Sequence, residues 1–295
     1  MTAEIRGARR AMPPMLLALC LAAALSAPVH AQDEPSGPRV DSTRQGQRFD
    51  TDGNHAAARA IFLQLIETAP DPAAKAAAQR RMAISYGFEG NCAKAVGYEE
   101  LVLGYWATRE SAEPQNAFFQ EGETANEAAR LCIDAGDLAT AERMYRRGNE
   151  MALKEPEPKT HPRSLWDYRL AHAMARLAAR WGNAAEAQRQ VDQARKILAS
   201  DSAMAAGQAR YLPYLVGYVA LYTNDFTTAE TELTKATELN KNDPFMQVLL
   251  AMTYEKTGRK DLAMERYRKA YDLATGHTPP AAFAQPYAAR KLGAP

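Results

Sequence analysis

After residue 31 the sequence contains no apolar run approaching the ~20 residues that a membrane-spanning helix needs, only two cysteines, and no excess of either charge. Lys plus Arg number 36 against 35 for Asp plus Glu, a net charge of +1. General nucleic-acid binding requires a concentrated basic footprint, and this balance supplies none. His55, His161, His172 and His277 are dispersed, with no His-x-x-x-His, Cys-x-x-Cys or acidic loop of calcium-binding spacing, so the sequence indicates no metal site and no cofactor. Gly-x-Ser-x-Gly and phosphate-cradling Gly-rich loops are also missing, which leaves catalysis without a recognisable constellation. Alternating β patterns are lacking too, and the periodicity throughout is helical.

The N-terminus reads as a secretory signal over residues 1–31. Arg6, Arg9 and Arg10 precede an apolar run from Met15 to Leu25, and Pro28-Val29-His30-Ala31 has the form of a processing site, with cleavage expected after Ala31. Eleven apolar residues are too few for an anchor. Lipidation at Cys20 is disfavoured by the bulky Leu19 before it and by the apolar run continuing past it. Periplasmic or secreted location follows as an expectation. Removing residues 1–31 takes Lys plus Arg from 36 to 33 and Asp plus Glu from 35 to 34, a net charge of −1. Residues 32–38, rich in Pro, Gly and polar side chains, are expected to form a disordered leader.

What is present is repetition. Val216-Gly217, Asn224, Ala229, Leu233, Ala236 and Leu239 recur 34 positions on as Leu250-Ala251, Gly258, Ala263, Tyr267, Ala270 and Leu273. A period of this length signals a solenoid of helix pairs, each too small to bury its own apolar face. Six turns carry the pattern, anchored at Gly53, Gly90, Gly136, Gly182, Asn224 and Gly258. An alanine follows each anchor by five residues. Nine residues past the anchor stand Phe62, Glu99, Tyr145, Val191, Leu233 and Tyr267, apolar except for Glu99, and seven residues before it stands a small residue.

These residues resemble the tetratricopeptide repeat family, whose alternation of small, aromatic, Gly, Ala, aromatic and Ala positions is matched by Ala251, Tyr254, Gly258, Ala263, Tyr267 and Ala270. The resemblance implies an all-α, right-handed α-solenoid of about six helix-turn-helix repeats over residues 39–277, and the signal pattern with the Ala-rich composition adds the expectation of an exported bacterial protein. Anchors spaced 37, 46, 46, 42 and 34 apart predict longer helices or loops near 104–121 and 154–165. Residues 278–295 are expected to form a capping helix and tail, with Pro286 interrupting the helix and with Phe283, Tyr287 and Leu292 as buried contacts; a docking tail for a partner is the alternative.

Cys92 opens the second helix of one unit and Cys132 lies near the end of the first helix of the next. Antiparallel neighbours bring such ends together, so a disulfide is geometrically reasonable. Two buried thiols are the other reading.

In solenoids of this family the first helices line the concave face. Counting back from the anchors places Arg80, Asn126, Arg130, Arg169, His172 and Arg176 there, beside a stripe of Tyr211, Tyr214, Tyr218 and Tyr222. Arginines suit carboxylates and tyrosines offer large contact area, so one reading is a groove for an acidic peptide or chain end. Asn126 with Arg130 resembles part of the family's carboxylate clamp, but the rest of that set is absent. On the other reading the arginines pair with Glu123, Asp134 and neighbouring acids while the tyrosines pack on adjoining helices. The expected function is a non-catalytic protein-binding scaffold of the periplasm or envelope. A structural subunit of an envelope or secretion complex is the alternative, and a regulator or enzyme of cell-wall metabolism would need paired acids that the spacing does not supply.

Overall fold

The computed structural model describes residues 37–293, and all regular structure among them is helical. Helices come in pairs: Pro38–Thr51 (α1) with His55–Glu67 (α2), Pro72–Phe88 (α3) with Cys92–Ala107 (α4), Pro114–Ala135 (α5) with Leu138–Ala152 (α6), and Arg163–Arg180 (α7) with Ala184–Ser200 (α8). Ser202–Gln208 (α9) and a 3-10 turn, Ala209–Tyr211, precede the pair Leu212–Tyr222 (α10) and Phe226–Leu239 (α11). Pro244–Lys256 (α12), Lys260–Leu273 (α13) and Pro279–Leu292 (α14) follow. The predicted signal over 1–31 and residues 32–36 of the predicted leader lie outside the described residues. Pro38, assigned to that leader, already begins α1.

All six anchors end a first helix in the left-handed region, including Asn224 at φ 66°, where a non-glycine backbone is strained and Asn is the best-tolerated substitute. One residue later Asn54, Asn91, Asp137, Asn183 or Asp225 caps the second helix, its side chain accepting from a backbone N–H three residues on. Each repeat therefore turns by a short Gly-Asn or equivalent step. The small residue before the anchor meets the large residue after it: a Cβ on Gly46 would fall 2.6 Å from the Phe62 ring, and one on Gly217 would fall 2.7 Å from Leu233. Close pairing of the two helices demands glycine at both places.

Glu99 occupies the same interior position as Phe62 and Leu233 and is 0% exposed. Burial pushes its carboxyl well above the usual range, and the neighbouring Glu127 carboxylate adds to the effect. A neutral Glu99 thus takes the place of the apolar residue that the register calls for. Glu127 itself is held from the other side by a bidentate Arg80, at 2.7 and 2.6 Å.

The long spacings are accounted for by the 22-residue α5, the irregular stretch from 153 to 162, and α9. Cys92 and Cys132 are joined by a disulfide between the start of α4 and the end of α5, with Cα atoms 4.7 Å apart.

The C-terminal helix departs from expectation twice. α14 runs unbroken through Pro286, because burial of Ala282, Ala284, Gln285, Ala288 and Ala289 on both sides of the proline outweighs its local cost of about 3 kcal/mol. Those alanines, with Ala281, are its buried surface, while Phe283, Tyr287 and Leu292 pack from partly exposed positions. α14 covers α12 and α13, and it also returns to α3 and α5. Gln285 Nε2 donates to the Thr51 carbonyl at 2.9 Å, and His277 Nε2 meets Asp50 Oδ2 at 2.8 Å. The stack therefore closes on its own first repeat instead of ending in an open edge.

Candidate concave binding site

First helices of successive repeats pack side by side, α3 on α5 and α7 on α10, and so line the inside of the closed stack. Asn126 and Arg130 sit one turn apart on α5, and Arg169, His172 and Arg176 share a face of α7. With Tyr211 and Tyr214 they surround a single pocket of about 250 Å3, completed by Glu123, Tyr145, Tyr168 and Gln208. Seven of the ten predicted groove residues converge there. Arg80 lies apart, on a wider cavity, while Tyr218 and Tyr222 line neither.

The electrostatics of the pocket are lopsided. Arg176 is 5% exposed, and its Nη1 and Nη2 donate to the hydroxyls of Tyr214 at 3.2 Å and Tyr145 at 2.9 Å. Arg130 stacks over Phe245 at 4.9 Å, and its Nε is buried with no hydrogen-bond partner. Arg180 donates to the Tyr218 hydroxyl at 3.3 Å and covers the Tyr222 ring at 4.9 Å. The carboxylate acting on all three is Asp134, whose pKa burial pushes up to about 6 although Arg130, Arg176 and Arg180 pull it down. Burial, reinforced by Arg176 and Arg130, holds the His172 pKa well below its ordinary value, so the imidazole is neutral. Positive charge exceeds negative in this cluster. Arg169, by contrast, is ion-paired with Glu123 and stacks on Trp166 at 4.9 Å.

The side chains of the expected groove are used in different ways. Arg80 and Arg169 are paired with acids. His172, Arg176 and Tyr214 are buried walls of the small pocket and not part of an open groove, and Tyr218 is fully interior, covered from α12. Phe245 sits edge-on to Tyr214 at 6.0 Å, stacks on Tyr218 at 6.5 Å and meets Phe283 at 5.1 Å. Counting within repeats could not reveal this, since the covering helices come from the far end of the chain. Tyr145 was assigned to the core by its register, and Tyr168 and Gln208 carry no repeat signature; only the fold shows them as pocket walls.

The wider cavity, about 610 Å3, opens beside the pocket and shares Glu123, Asn126 and Arg130 with it. Arg80 and Arg81 of α3, Tyr105 and Trp106 of α4, Phe119 of α5, and Pro279 and Pro280 of α14 line it. Arg81 has a neutral partner: Gln47, in the amide orientation that satisfies both groups, accepts from Arg81 Nε at 3.3 Å and Nη1 at 3.1 Å. Among the described residues no cluster of His, Cys, Asp and Glu is arranged to hold a metal ion, and no helix is long and apolar enough to cross a membrane.

No curated protein matches the chain. The family described as tetratricopeptide repeat matches residues 246–277, which span most of α12, all of α13 and the turn that leads to His277. Repeats of this kind generally serve as non-catalytic modules for protein–protein interaction. The chain thus contains a tetratricopeptide repeat at residues 246–277, and its described residues form an all-helical stack of helix pairs consistent with a repeat solenoid.

Proposed function

We propose that this chain is an exported, non-catalytic scaffold that holds an extended, acidic segment of another protein in the wider concave cavity. The observation that carries the reading is the makeup of that cavity. Large aromatic surfaces (Tyr105, Trp106 and Phe119) stand beside two guanidinium groups, Arg81 and Arg130, that have no carboxylate in ion-pair contact. Aromatic side chains and arginine carry much of the energy of protein recognition, and arginine suits planar carboxylates. Export is supported by the disulfide between Cys92 and Cys132, since such bonds persist in oxidising compartments, and by the N-terminal signal pattern. The partner is accordingly sought among envelope or secreted proteins.

Capture from an envelope extract tests the proposal. The wild-type chain is expected to retain a partner that a variant combining Arg81→Glu with Trp106→Ala does not, at equal helical content. Equal retention by both, or retention by neither, would overturn it.

A further inference from the structure

The inner pocket calls for a different occupant from the cavity beside it. Its guanidinium groups outnumber its carboxylates. Arg176 spends two donors on phenols, which carry no charge, and Arg130 keeps a buried Nε without an acceptor. Asp134 acts on both and on Arg180 as well, Asp243 acts on Arg130, and Glu123 at the pocket wall is paired with Arg169. Neither guanidinium has a carboxylate in hydrogen-bond contact, and a carboxylate placed in the pocket would supply charge-assisted hydrogen bonds. The remaining walls favour a flat body: rings of Tyr145, Tyr168, Tyr211 and Tyr214 surround the space, and neutral His172 stands within it. At about 250 Å3 the pocket is smaller than the ~300–1,000 Å3 of sites for drug-sized ligands, and Phe245 seals the stripe from the α12 side.

We propose that the pocket between α5, α7 and α10 binds a small free aromatic monocarboxylate, its carboxylate on Arg130 and Arg176 and its ring among the tyrosines. The pocket shares Arg130 with the wider cavity, and the two readings are told apart by ligand class and by the variants that test them, since Arg81 and Trp106 line only the wider cavity.

Titration calorimetry on the purified full chain, with benzoate, 4-hydroxybenzoate and phenylacetate set against their neutral amides, tests it. At least one acid should bind saturably at a single site with Kd below about 1 mM, and its amide should bind about tenfold or more weakly. Arg130→Gln should weaken the same acid by about tenfold or more with the circular dichroism spectrum unchanged, whereas Arg195→Gln, on the exposed face of α8 away from both cavities, should stay within about twofold. Tyr211→Ala, at a partly exposed wall position, serves as the reporter if Arg130→Gln loses helical signal, and it too should weaken the acid. No saturable binding by any of the three acids, equal binding of acid and amide, or unchanged affinity in the pocket variants would overturn the assignment. An acid that binds normally while envelope capture fails leaves the pocket in place and removes only the scaffold reading; the converse result does the reverse.

Discussion

Asp50→Ala is expected to destabilise the protein by about 3 kcal/mol, the cost of leaving buried donors without the charged carboxylate that accepts from them. Asp50 Oδ1 accepts from Ser85 at 2.9 Å and lies 3.0 Å from His55 Nδ1, while Oδ2 meets His277 Nε2 at 2.8 Å. Burial by itself would raise its pKa, but the hydrogen bonds from His277, His55 and Ser85 outweigh it, and the net shift is downward. His277 is shifted downward as well, mainly by burial, so a neutral imidazole donates to a charged carboxylate. For an acid with a lowered folded pKa, the stabilisation is complete above the unfolded value near 4 and is lost as pH falls through the folded value. The difference between wild type and Asp50→Ala should therefore be full at pH 7 and shrink below about pH 4. Its structural effect should be local to the closure. In a repeat stack each unit contacts only its neighbours, so the closure rests on the His277 and Gln285 contacts with α1 and on the packing of α14 against α3 and α5. Hydrogen exchange should show α14 losing protection ahead of α5 and α7 in the variant. Asp52→Ala, an exposed change two residues away, should stay within about 0.5 kcal/mol. Equal denaturation midpoints for wild type and Asp50→Ala at pH 7 would contradict the closure.

Removing the disulfide should have an effect of similar size. A bond between residues separated by 40 positions restricts the unfolded chain and, by loop-closure entropy, stabilises by about 3 to 4 kcal/mol. Cys92→Ala with Cys132→Ala should thus lower the denaturant midpoint by a comparable amount without changing the native helical signal. The two cysteines couple the second repeat to the third, so the loss should appear first in α4 and α5. A midpoint that is the same in oxidised wild type and in the double variant would show that the cross-link adds nothing to stability.

Much of the fold could be read from the repeat itself. The six anchors determine where each helix ends, and the alanines, Gly46 and Gly217 determine how closely the paired helices approach; both are local, and both are written in short-range spacing. Two features were hidden for physical reasons. Closure depends on residues 227 and 234 positions apart, His277 with Asp50 and Gln285 with Thr51, and no periodicity encodes such a contact. Proline within a helix argues for a break on propensity alone, yet α14 is held on both flanks by burial that propensity does not count. The same closure explains why part of the concave face is buried and not open to solvent. Arg130, Arg169 and Arg176 do share a site with Asn126 and His172, as the counting from the anchors requires. Tyr218, expected to face a groove, is 0% exposed because a helix from the chain's far end covers it. Glu99 shows the opposite case: it departs from the apolar register, yet it is fully buried at that position, with its carboxyl raised well above the usual range by burial.

The central claim, that the concave cavity holds another protein, is tested most directly by photocrosslinking in cells. A photoreactive benzoylphenylalanine is placed either at position 106, inside the cavity, or at position 239, where Leu239 is half exposed at the end of α11. The account predicts a discrete covalent adduct with a second protein from position 106 and none from position 239. An adduct from position 239 with none from position 106 would contradict it.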